Sequence, residues 1–112
     1  MNKRNRNYRS AVRAYRAQNY AAAYKLLIGF AKKGDAEAQT MIGSIYQLGL
    51  GNMPINEAEA IRWYLLASEQ GYGLASNNLG TIAFMRGNKE EAARYYAKAR
   101  AQNFPHAPEI AI

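Results

Sequence analysis

Gly34-Asp-Ala-Glu-Ala-Gln-Thr-Met-Ile-Gly43 returns, loosely, as Gly71-Tyr-Gly-Leu-Ala-Ser-Asn-Asn-Leu-Gly80, 37 positions further along the chain. A second block follows each copy: Ala60-Ile-Arg-Trp-Tyr-Leu-Leu-Ala67, then Ala92-Ala-Arg-Tyr-Tyr-Ala-Lys-Ala99. Repeats of about 20 to 50 residues mark arrays in which each unit buries its apolar face only against its neighbours. Such arrays present extended surfaces, which points to binding rather than to an enclosed reaction site.

The period inside the blocks is helical. Ala60, Ile61, Trp63, Tyr64, Leu65 and Ala67 form a broad apolar stripe. Asn56 precedes it as a cap, Glu59 stands three residues later as a capping-box partner, and Glu57 favours the positive end of the helix dipole. Gly71 can take the left-handed conformation that closes the helix. The third unit repeats this with Asn88, Glu90, Glu91 and Arg100, and the first is a weaker copy opened by Asn19 and closed by Gly34. The pattern predicts helices over about 8–17, 21–33, 36–48, 57–70, 74–86 and 89–102, with a seventh, short one from 107. The β-branched residues are few and scattered, so no strand is expected.

Small residues recur at Ala11, Gly43 and Gly80, and at Ala23, Ala60 and Ala92, with separations of 12, 17 and 12. The two helices of each hairpin are expected to cross there. Leu27, Tyr64 and Tyr96, four residues on, would then fill the neighbouring groove. The five additional residues of the middle unit fall within Leu48–Asn56, where Pro54 and three turn-forming residues make a loop.

At 112 residues the chain is one domain with a modest core, and a hydrophobic fraction of 49% argues against disorder. There is no cysteine, hence neither a disulfide framework nor a thiolate metal site. No stretch approaches the roughly 20 apolar residues that cross a bilayer. Met1–Asn7 resembles the basic start of a signal peptide, but Arg9, Arg13, Arg16 and Gln18 interrupt any apolar run after it. The expected location is cytoplasmic, or periplasmic if a leader has been removed. Net charge is +7, unevenly spread: residues 1–33 hold nine Lys/Arg and no acid, whereas 34–112 hold six Lys/Arg and eight acids.

The middle unit resembles a Sel1-like repeat of the tetratricopeptide class. It carries Ala36-Glu-Ala-Gln39, Gly43, Tyr46, a loop with Gly49, Gly51 and Pro54, then Ala60, Trp63-Tyr64, Ala67 and Gly71. The third unit keeps Asn78-Leu79-Gly80, Ala92, Tyr95-Tyr96 and Ala99 without the loop insertion, and the first has Leu26-Leu27 in place of Trp-Tyr. The resemblance implies a right-handed α-α superhelix of about three helix-turn-helix units (8–33, 36–71 and 74–103, with a stub over 104–112). It also implies a non-enzymatic adaptor or scaffold. Other tetratricopeptide domains grip a C-terminal carboxylate with a Lys and an Asn on the first inner helix. Tyr8 and Val12 stand at those positions, so that mode is not implied.

No cofactor or metal is expected. His106 is the only histidine, and a lone imidazole makes neither a metal site nor a triad. The carboxylates gather in first turns, as capping requires. Gly49-Leu50-Gly51 lacks the preceding strand and following Lys-Ser/Thr of a phosphate loop. Trp63, Tyr64, Tyr95 and Tyr96 fall on packing positions.

Two surfaces remain as candidates. The first helix of each pair lines the concave side in this class, which nominates Tyr8, Val12, Tyr15 and Arg16, then Thr40, Ser44, Gln47 and Leu48, then Asn77, Thr81, Phe84 and Met85. That mixture suits a peptide- or helix-accepting groove. The second surface is the basic end, with Arg4, Arg6, Arg9, Arg13 and Lys25, which would attract an acidic partner. A protein or peptide partner on the concave face is the leading expectation. The alternative is nucleic acid or an acidic surface held at the basic end, with Tyr8 and Tyr15 stacking on bases. The chain is expected as a monomer or, through an exposed last unit, a weak homodimer.

Overall fold

The structure, a computed structural model, describes residues 6–111. Six α-helices follow in order: α1 (Arg6–Arg16), α2 (Tyr20–Lys32), α3 (Ala36–Leu48), α4 (Glu57–Glu69), α5 (Gly73–Met85) and α6 (Lys89–Ala101). A single 3-10 turn, Leu50–Asn52, interrupts the loop between α3 and α4, and no strand occurs among the described residues. Each helix packs on its neighbours in sequence, so the hairpins α1/α2, α3/α4 and α5/α6 stack into an all-α solenoid measuring 44 × 29 × 21 Å.

The caps explain where the helices begin. Asn19, Asn56 and Asn88 each accept a hydrogen bond from the backbone N–H three residues on, and Asp35 does the same for Ala38 at 2.9 Å. Each satisfies one N–H that the helix itself leaves without a partner. The Glu59 carboxylate takes Arg62, at 3.1 Å from Nε and 2.9 Å from Nη2.

The hairpins cross at the small residues, with one difference from expectation. A Cβ added to Gly43 would lie 2.6 Å from Cε1 of Tyr64, and one on Gly80 would lie 2.7 Å from Cδ1 of Tyr96. Each ring therefore fills the crossing of its own hairpin first, and Tyr64 also joins the apolar cluster of Ala75, Leu79 and Ile82 in the next one. No seventh helix occurs among the described residues. Residues 108–111 run without regular structure beside α6. Arg100 Nη1 donates to the carbonyls of Ala107, at 3.3 Å, and Pro108, while Ala107 and Ile110 pack against the last apolar cluster.

Polar bonds set the joints between hairpins. Gln39 Nε2 donates to the Ala31 carbonyl at 3.1 Å, and Gln70 Nε2 donates to Gln39 Oε1 at 3.0 Å. At the second joint the Ser68 and Ser76 hydroxyls lie 2.7 Å apart, and Gln102 Nε2 donates to the Ser68 carbonyl at 3.1 Å.

Candidate functional site

α1 is polar all round except along one edge: only Tyr8 and Ala11 are buried. Turning about 100° per residue, it sets Tyr8 and Tyr15 toward the body, Val12 at the margin, and Arg9, Arg13 and Arg16 outward. Against this margin lies a cleft of about 420 Å³ lined by Tyr8, Arg9, Val12, Arg13, Arg16 and Glu37. A second cleft shares Val12, Arg16 and Glu37 and continues across Tyr15, Thr40 and Met41 to Tyr72 and Leu74. Together they form one groove over the first helices of the three hairpins. The two surfaces nominated separately by the sequence, the inner face and the basic end, meet in it.

Polar groups fix the floor of the groove. The Tyr8 hydroxyl is shared between Asp35 Oδ2, at 3.0 Å, and Glu37 Oε1. Burial, followed by the hydrogen bond to Glu37, pushes the Tyr8 phenol well above its ordinary value, so it remains a neutral donor. Its ring meets Phe30 edge-on at 5.1 Å, and the Tyr15 ring meets Tyr20 edge-on at 5.4 Å. With Tyr8 only 3% exposed, its ring offers no free face to a base. Burial likewise raises Tyr15.

The other nominated residues are distributed differently. Thr40 is buried and its hydroxyl donates to the Ala36 carbonyl at 2.9 Å. Ser44 lies 3.0 Å from the Tyr64 hydroxyl, which donates to Gln47 Oε1 at 2.7 Å. Thr81 lies 2.9 Å from the Tyr96 hydroxyl and 3.2 Å from the Asn77 carbonyl. Ser44, Gln47 and Thr81 thus serve the chain's own tyrosines. Asn77 keeps a buried Oδ1 without a partner among the described residues. Phe84 is exposed and stands far along the array, in a cleft with Lys89, Tyr96 and the segment Pro108–Ala111. Lys25 is exposed on α2 and lines neither part of the groove, Arg6 extends the row of α1, and Arg4 lies outside the described residues.

Met41, Tyr72 and Leu74 were not singled out in the sequence. One signal was legible: Gly43-Ser44 and Gly80-Thr81 each pair a crossing glycine with a hydroxyl, opposite Tyr64 and Tyr96. In the first hairpin the corresponding set is Ala11-Val12 opposite Leu27, which carries no hydroxyl to tether. Val12 is therefore left as an apolar group at the edge of the groove. Among the described residues no cluster of His, Cys, Asp and Glu could hold a metal ion, and no helix is long and apolar enough to cross a membrane.

The Sel1 repeat family model matches residues 36–72 and 73–104. The chain is similar to the Sel1-like repeat-containing protein L21 of Acanthamoeba polyphaga mimivirus, with 31% identity over 75 residues, covering 66% of this chain and 14% of that protein. It thus spans only a small part of that relative's length. No solved structure matches. Sel1 repeats are generally non-enzymatic protein-interaction modules.

Proposed function

The chain belongs to the Sel1 repeat family, and from that premise we propose that it is a non-enzymatic adaptor that docks a segment of a partner protein in the groove over α1, α3 and the start of α5. Its three hairpins act as one domain. The observation that supports this reading is the groove's lining: Val12, Tyr15, Met41 and Leu74 supply an apolar floor beside the guanidinium groups of Arg9, Arg13 and Arg16. Apolar anchors with a polar rim are what a docked segment requires. The hydroxyls of Ser44 and Thr81 are engaged within the fold, so binding is carried by the α1–α3 end.

Site-specific photo-crosslinking in native cells tests this. One crosslinker replaces Leu74, in the groove and 38% exposed, and a second replaces Leu66, on α4 and 40% exposed. A defined protein captured from position 74 and not from 66 is the expected result. Equal capture from both positions, or capture of nucleic acid alone, would refute the docking assignment.

A further inference from the structure

We infer that the docked segment is an acidic amphipathic helix lying along α1, with one carboxylate set against each of Arg6, Arg9, Arg13 and Arg16. The inference rests on the docking function proposed above and adds the partner's chemistry.

The four arginines follow at intervals of three, four and three residues. On an α-helix that spacing keeps them within a narrow arc and carries them about 15 Å along the axis. All four are exposed, and none has an ion-pair partner among the described residues. α1 itself contains no acid. Like charges three and four residues apart repel, and Arg6 faces the positive end of its own helix dipole. The row thus costs α1 stability, which the negative end of the helix dipole offsets only at Arg13 and Arg16 in the last turn. A row of partner carboxylates removes that cost.

The spacing selects a helix. Along the axis Arg9 and Arg13 are about 6 Å apart and Arg13 and Arg16 about 4.5 Å. A helix with acids at three-four-three intervals reproduces those steps, whereas same-face residues of an extended strand recur about every 6.6 Å and fall out of step. The partner's apolar residues then turn toward Val12, Tyr15, Met41 and Leu74. Glu37, the one acid lining the groove, is occupied by the Tyr8 hydroxyl. A nucleic acid satisfies the arginines less completely. It has no apolar side chains for that floor, and the Tyr8 ring that would stack on a base is buried and packed edge-on against Phe30.

Fluorescence anisotropy on the full chain tests the inference with three probes. They are a stapled helix with Glu at three-four-three spacing and Leu on the adjoining face, a peptide of the same residues in scrambled order, and a single-stranded oligonucleotide of equal charge. The helix is expected to bind at least about tenfold more tightly than the scrambled peptide. Arg9→Gln/Arg13→Gln should weaken it about tenfold, as two exposed charge pairs allow, with circular dichroism and Tm confirming that the variant is folded. Failure of the helix to bind, equal binding of the scrambled peptide, tightest binding by the oligonucleotide, or indifference to the double substitution overturns the inference. The crosslink from position 74 separates the two readings. If it survives Arg9→Gln/Arg13→Gln, the acidic helix is wrong and docking stands; if it is no more selective than that from position 66, both are wrong.

Discussion

The ring of Tyr64 rests so closely on Gly43 that a Cβ there would come within 2.6 Å of Cε1, and the ring has no exposed surface into which to retreat. Gly43→Ala is therefore predicted to destabilise the fold. Overpacking costs about 1–3 kcal/mol and the better helix propensity of alanine returns about 1, for a net loss of up to about 2 kcal/mol. Gly29, in the middle of α2, has nothing within 4 Å of the same added atom. Gly29→Ala should stabilise by about 0.5–1 kcal/mol. Thermal melts of the two variants should move in opposite directions; a Gly43→Ala protein as stable as the parent would mean that the crossing is loosely packed.

Asp35 ties the first hairpin to the second. Its Oδ2 caps α3 through the Ala38 N–H at 2.9 Å and takes the Tyr8 hydroxyl at 3.0 Å. Asp35→Ala removes both bonds and should cost about 2 kcal/mol, while Asp35→Asn, which preserves a capping oxygen, should cost less than half as much. Urea unfolding measures the difference. Because the lost bonds fasten α1, hydrogen exchange should quicken in α1 and the first turn of α3 before it does in α6.

Buried phenols give the fold an alkaline limit. Burial pushes Tyr64 up to about 12 from an ordinary 10.0, and it raises Tyr8 and Tyr15 as well. A group whose folded pKa exceeds its unfolded one holds more protons when folded, so its stabilisation is intact below pH 10.0 and is lost as pH rises toward about 12. Urea midpoints should hold up to about pH 9.5 and then fall steeply, and Tyr64→Phe should flatten that fall. A midpoint unchanged through about pH 11 would contradict the burial of these hydroxyls.

Much of the architecture was legible because it rests on local chemistry. Asn19, Asn56 and Asn88 announce helix starts, and Gly43 and Gly80 announce crossings, without reference to anything distant in the chain. The groove was half legible. Val12, Tyr15 and Arg16 follow from the helical period of α1, but Met41, Tyr72 and Leu74 join them only through the stacking of successive hairpins. Ser44, Gln47 and Thr81 looked like free hydrogen-bonding groups because their partners, Tyr64 and Tyr96, lie 15 to 20 residues away. The expected helix after residue 107 gave way to a segment whose Ala107 and Pro108 carbonyls are taken by the Arg100 guanidinium of α6, a tertiary bond that no local pattern announces.

The bonds at the two joints have a consequence for how such a chain can be rearranged. Gln39 bridges the Ala31 carbonyl and Gln70 at one joint, and Ser68, Ser76 and Gln102 interlock at the other. Apolar contacts accept many mates, but directional bonds accept few. The hairpins are therefore not interchangeable bricks. Exchanging the second with the third would part Gln39 from the Ala31 carbonyl and Gln102 from the Ser68 carbonyl, so the order of units is itself encoded.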